Sequence, residues 1–252
     1  MNRRHLLTIL GAGGCGAATL LAGRSLYRRM ASRTSTAEAA GPQTRFGLFD
    51  VDSRELNAAG NALGFRPRVE PLRDRLDRLY ALAEERGTPL VFTTCCSGRM
   101  LRPDSLPEVL VVPLGADQRQ WETRMHAYRL FCLQKKAYKE AGANFSCRAY
   151  DMFRDNGNAA RLMQTLDVNE WIVFGNGFDL CIYSGVRGLL AAGQRVCLLS
   201  DVYASGARGY YVPTPRGRFE TGTPENHARI LAEFRQLGVR TATLEQFLAS
   251  VS

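Results

Sequence analysis

Trp171–Asp201 reads WIVFG, NGFD, LCIYSGVRGLLAAG, QRVCLLSD, and this stretch decides the fold. WIVFG is a short apolar run closed by glycine, the pattern of a buried parallel strand. From Cys181 the period changes, and Ile182, Val186, Leu189 and Leu190 mark one face of a helix. Gly193 supplies the stop, and Val196–Leu199 makes a second apolar strand. Cys181 therefore falls where turn becomes helix, beside unpaired backbone N–H groups and the positive end of a helix dipole. Both favour the thiolate, so Cys181 is the candidate nucleophile.

Working outward, the same alternation recurs. Phe46–Phe49 is a strand ending in Asp50, and Asp52–Arg66 has no firm period and reads as a loop. Val69, Leu72, Leu76, Leu79, Tyr80 and Ala83 mark a long helix stopped by Gly87. Pro89–Thr94 and Arg129–Gln134 are further strands, the latter ending at Lys135-Lys136, with Val109–Pro113 a candidate extra one. Beyond Asp201 a glycine- and tyrosine-rich loop runs through Gly222. Thr223-Pro224 then caps a helix, Val239–Thr241 makes a short strand, and Thr243-Leu244-Glu245-Gln246 is a capping box opening the last helix. Strands alternating with helices predict an α/β, three-layer fold, with a mostly parallel six-stranded sheet and helices on both faces. Its strand tips, and any site, share one edge.

The chain has 252 residues, enough for one such domain. Residues 1–39 resemble a twin-arginine export signal: Arg3-Arg4 precedes an uncharged stretch from Leu6 to Gly23, with Ala37-Glu38-Ala39 as the cleavage site. An ordinary leader or an uncleaved anchor is the alternative. Residues 40–45 are a linker and 46–252 the domain. Export implies a periplasmic protein with transient contact to the twin-arginine machinery. Of the formal charge of +9, the leader's six arginines and one acid hold +5. The remaining +4 is too mild and scattered for a nucleic-acid partner. Six cysteines lie beyond the leader, Cys95, Cys96, Cys132, Cys147, Cys181 and Cys197, in no CxxC framework. Cys132 and Cys197 sit in apolar strands and read as core; a Cys132–Cys147 bridge stays open.

Asp50, Lys135 and Cys181, each at or just beyond a strand tip, together resemble the triad of the isochorismatase-like cysteine hydrolases, a Rossmann-like fold. The likeness covers most of residues 46–202, and its most distinctive block is Trp171–Asp201 with its G-x-x-x-D-x-C turn. It implies that Asp50 takes the thiol proton, Lys135 stabilises the ion pair, and Cys181 attacks a carbonyl. The backbone N–H groups of Leu180 and Cys181 would face the oxyanion. The implied function is hydrolysis of an amide-type C–N bond of a small molecule through a thioester. A homo-oligomer is also implied, and no cofactor. Phe178 and Asn176, in the turn, are candidates to line the substrate pocket. Asp179 is expected to cap the following helix and Asp201 to order a loop.

Departures from the pattern are visible. Cys147-Arg148-Ala149-Tyr150 also resembles the lysine segment, so Lys135, Lys136 or Arg148 could carry the positive charge, Lys135 being favoured with an insertion after it. Asp52 stands where glutamine is usual. Cys95-Cys96-Ser97-Gly98 replaces the histidines of metal-binding relatives, and His126 and His227 read as surface residues, so no metal is expected. Two rivals remain. Phe46–Asp52 also reads as strand plus D-x-D, the opening of a haloacid-dehalogenase-like phosphatase using Asp50, Asp52 and magnesium. The other is a catalytically silent binding module with Cys181 as a packed thiol.

Overall fold

The computed structural model describes residues 45–56, 63–66, 68–95, 108–135, 151–205, 211–214 and 217–252. The leader and most of the linker, Cys96, Lys136, Cys147 and Arg148 lie outside them. The strands are β1 Phe46–Val51, β2 Arg54–Leu56, β3 Leu63–Phe65, β4 Leu90–Cys95, β5 Val109–Val112, β6 Leu130–Lys135, β7 Glu170–Asn176, β8 Val196–Ala204, β9 Tyr211–Thr214, β10 Gly217–Glu220 and β11 Arg240–Ala242. The helices are α1 Arg73–Arg86, α2 Gln118–Glu122, α3 Met152–Asp155, α4 Ala159–Thr165, α5 Tyr183–Ala191, α6 Pro224–Gln236 and α7 Leu244–Val251.

Seven strands form one sheet in the order β11-β8-β7-β1-β4-β6-β5, and every pairing in it is parallel. The expected sheet had six strands; the seventh is β5, the Val109 run, which pairs with β6 at the edge. Two segments expected as loops contain antiparallel pairs instead, β2 with β3 and β9 with β10. Arms of three or four residues are too short to display a period.

Period-two alternation divides the central strand between two cores. Phe46 and Leu48 join Leu76, Leu79 and Tyr80 of α1 and Phe247 of α7 on one face. Phe49 and Val51 join Trp171, Ile182, Val186, Leu189 and Phe234 on the other, under α3 to α6. Trp171 covers Gly47, where an added Cβ would sit 2.7 Å from the indole. Gly188 has the same purpose between helices, since a Cβ there would lie 2.0 Å from the Phe153 ring of α3. Gly188→Ala is therefore expected to lower stability by about 1–3 kcal/mol, despite alanine's better helix propensity. Urea denaturation checks this, and a neutral or stabilising result would contradict the packing.

The chain leaves β1 toward β4 but leaves β7 toward β8, so connections diverge at the carboxyl ends of β1 and β7. Such a switch point opens a crevice in a parallel sheet. The two backbones touch there: a Cβ on Gly175, whose φ is +127°, would stand 2.2 Å from the Val51 carbonyl oxygen.

Candidate active site

Three side chains meet at this crevice: Asp52 just past β1, Lys135 at the tip of β6, and Cys181 in the turn after β7. Lys135 Nζ forms an ion pair with Asp52 Oδ2 and donates to Cys181 Sγ at 3.2 Å. The Cys181 thiol also hydrogen-bonds to the Asp52 carboxylate. Thr93 Oγ1 donates to Asp52 Oδ1 at 2.7 Å and accepts from the Asp52 amide at 3.0 Å. The cluster is nearly dry, with Asp52 and Lys135 each 1 % exposed and Cys181 6 %. Burial pushes the Asp52 carboxyl up, but the charges of Lys135 and Arg66 and hydrogen bonds from Lys135 and Cys181 outweigh it. The balance falls at about 2.

Lys135 is held from behind. Asn156, fully buried, donates its side-chain amide to Val112 O at 2.9 Å and Gln134 O at 3.0 Å. It thus ties β5 to β6 one residue before the lysine. Nothing in the sequence around Asn156 marks this role, which depends on strand ends brought together by the fold.

Asp50 is not part of the cluster. Its side chain lies on the face of Phe46 and Leu48, away from Val51 and Cys181. Oδ1 accepts from Ser53 N at 3.3 Å and from Ser53 Oγ, and Oδ2 accepts from Tyr80 OH. Burial raises its carboxyl above the ordinary value, against the hydrogen bonds from Ser53 and Tyr80 and the Arg54 charge. Strand alternation alone would send Asp52 to that same face. A left-handed backbone at Asp52, φ +53°, breaks the alternation and turns its carboxylate to Thr93 and Lys135. Parity in the sequence argues against Asp50, which shares its face with Leu48 while the helix after Cys181 packs on Phe49 and Val51, but it would exclude Asp52 equally.

The turn differs from expectation as well. Cys181 does not open an α-helix; it lies inside a single π-type turn, Phe178–Ile182, and α5 follows. Ile182 N donates to Gly177 O at 3.1 Å, spanning five residues, and Leu180 N donates to the same oxygen at 2.9 Å. The Leu180 amide, expected at the oxyanion, is thus spent closing the turn. Gly177 begins the turn at φ +78°, and a Cβ there would lie 3.5 Å from Cys181 Sγ. A side chain at that position would be strained by this φ, although its Cβ would only touch the sulfur at ordinary contact distance.

Phe178, a candidate pocket residue, exposes no surface. Its ring stacks on Tyr203 at 4.5 Å and lies 4.4 Å from His227. Tyr203 OH hydrogen-bonds to His227 Nε2 at 2.8 Å, so His227 is part of this aromatic wall rather than a free surface residue. Burial, with Asp201 adding to it, pushes the Tyr203 hydroxyl up to about 12. Asn176, the other pocket candidate, buries its Oδ1 without a hydrogen-bond partner. Asp179 is no helix cap: its Oδ2 accepts from Gly222 N and, at 3.4 Å, from Asn226 Nδ2, fastening α6 to the turn. Asp201 Oδ1 accepts from Leu244 N at 2.8 Å and orders the start of α7.

Each oxygen of Asp52 and Asp50 has separate protein partners, on different faces of the sheet, so the two carboxylates do not share a cation site. Among the described residues no three His, Cys, Asp or Glu side chains converge as a metal site.

The fold is isochorismatase-like. The chain is similar to a protein assigned to the isochorismatase family from Chromobacterium violaceum, with a TM-score of 0.50 and 16% identity, over 86% of this chain and 98% of that one. It is also similar to an isochorismatase-like hydrolase from Alkaliphilus metalliredigens, with a TM-score of 0.49 and 15% identity over 83% and 98% of the two chains. A cysteine hydrolase from Pseudomonas syringae pv. phaseolicola gives 0.49 and 13% over 87% and 98%. At these identities the likeness is one of fold. No family model matches the sequence, and no curated protein matches it.

Proposed function

We propose that this protein is a cysteine hydrolase that cleaves an amide-type C–N bond of a small molecule, with Asp52, Lys135 and Cys181 as its reactive groups. The observation that carries the reading is one ammonium, Lys135 Nζ, bonded in a dry cluster to both a carboxylate and a sulfur. A merely packed thiol needs no such neighbours. The acid differs from the one the sequence resemblance implies, Asp50, because only Asp52 reaches the sulfur.

In this mechanism Asp52 accepts the thiol proton as Sγ attacks the carbonyl carbon. A carboxyl near 2 is a weak base in isolation. Its proton affinity rises as negative charge forms on the adjacent sulfur, so the two titrate as a pair. Lys135 stays protonated and holds the thiolate. The carbonyl π pair moves to oxygen, and the resulting oxyanion faces the Cys181 amide. On collapse the C–N bond breaks, Asp52 returns the proton to the leaving nitrogen, and a thioester remains. Water then attacks the thioester while Asp52 takes its proton; on collapse the C–S bond breaks, the proton passes to Sγ to restore the Cys181 thiol, and the carboxylic acid departs.

The test is interception of the acyl-enzyme. Wild-type protein is quenched in acid during turnover of a panel of small primary amides and activated esters, then digested and weighed. The expected result is the acyl mass on the peptide that carries Cys181. Hydrolysis without any adduct there, or activity that requires magnesium and survives thiol alkylation, would overturn the reading.

A further inference from the structure

The mechanism leaves Asp50 without a part, although it is fully buried and fully engaged. Its contacts form a closed path. Ser53 binds Asp50 through both amide and hydroxyl, Tyr80 from α1 binds the other oxygen, and Arg54 Nε donates to Tyr80 OH at 2.9 Å. The Arg54 guanidinium lies 4.1 Å over the Tyr80 ring. Ser53 O in turn accepts from Arg66 N at 2.9 Å, anchoring the far side of the turn. Asp52 is thus spanned on both sides, by Asp50 before it and Ser53 after it, while its own backbone sits at φ +53°.

A left-handed conformation is disfavoured for a residue with a side chain, less so for aspartate than for most, and here the hydrogen bonds of the turn hold it. If Ser53 were released, the backbone at Asp52 could relax to an ordinary extended conformation. Strand alternation would then carry its carboxylate away from Lys135 and Thr93. We propose that Asp50 is a positioning residue: through Ser53 it holds Asp52 in the left-handed conformation that aims its carboxylate at Lys135 and Cys181. The proposal rests on the cysteine-hydrolase reading of the site.

The test follows alkylation of Cys181 by iodoacetamide against pH, by mass spectrometry, so that no substrate is required. It uses the full chain as wild type, Asp52→Asn, Asp50→Ala, Asp50→Asn and Ser53→Ala. Among the described residues, Asp52 and Lys135 face the sulfur, with Arg66 acting on Asp52. Asp179, Tyr203 and His227 hold the other side of the turn and are untouched by these changes. Asp52→Asn sets the scale by displacing the profile about one pH unit, or about tenfold in rate on its sloping limb. Asp50→Ala and Ser53→Ala are expected to displace it in the same direction by at least half as much. Asp50→Asn keeps an oxygen for Ser53 and is expected to stay within about threefold of wild type.

Wild-type profiles for Asp50→Ala and Ser53→Ala beside a displaced Asp52→Asn would overturn the proposal. So would an Asp50→Asn profile matching that of Asp52→Asn, which would give the decisive property to Asp50's charge rather than its grip on Ser53. A profile unmoved by Asp52→Asn would overturn the hydrolase reading itself, and the proposal with it. Should Asp50→Ala not fold, Ser53→Ala and Asp50→Asn decide alone.

Discussion

Cys181→Ala is expected to abolish turnover of any amide the wild type cleaves, lowering kcat by at least about 10⁴-fold. The sulfur is the atom that would form and break the covalent intermediate, so no neighbour can replace it. Cys181→Ser is expected to fail as fully, because a hydroxyl holds its proton far more tightly than a thiol. Neither change should unfold the chain. Only a small group is removed, from a site that is 6 % exposed, and the expected stability change is about 1 kcal/mol. Circular dichroism and urea denaturation establish the fold, and steady-state kinetics then give the ratio. A variant with retained kcat would rule out Cys181 as the nucleophile and leave its sulfur as a packed thiol.

Lys135→Met is expected to damage both stability and activity, for a single electrostatic reason. In the wild type the Asp52 carboxyl lies at about 2, below the unfolded value of about 3.9. Its contribution, on the order of 2 kcal/mol, is therefore fully present above the unfolded value and is lost as pH falls through about 2. Without the ammonium, Arg66 and Thr93 remain, but burial dominates and the carboxyl moves up. The sign of the dependence then reverses. A folded-state value above the unfolded one gives stability that is present below the unfolded value and lost as pH rises through the raised one. The expected loss near neutral pH is about 3–5 kcal/mol, the usual consequence of leaving one buried charge unpaired. Urea unfolding between about pH 2 and pH 8 reads out both slopes. A variant as stable as wild type across that range would mean the Asp52–Lys135 pair is not the buried contact described. In a variant that still folds, activity should fall by at least about a hundredfold, because the thiolate loses its counter-charge.

Much of this molecule was legible from residue order, and the reasons are local. Trp171–Gly175 and Val196–Leu199 are apolar runs that only burial on both faces explains, and they are β7 and the start of β8. The Thr223-Pro224 cap and the Thr243–Gln246 capping box open α6 and α7 where expected, since capping chemistry depends on three or four neighbouring residues. Lys135 and Cys181 could be named because charge or sulfur at the end of an apolar strand is conspicuous. The β2–β3 and β9–β10 pairs were not legible, because their strands are shorter than a detectable period.

The sequence by itself determined the layered α/β architecture, the edge on which chemistry can gather, and two of the three groups that gather there. It also supplied both candidate acids, Asp50 and Asp52, within one strand end. Only the tertiary structure decided between them, because the choice turns on the left-handed backbone of Asp52. That conformation is held by Ser53, Tyr80 and Thr93, which come from the turn itself, from α1 and from β4. Strand pairing and helix packing bring those residues to one point, and no local pattern in the chain encodes their meeting.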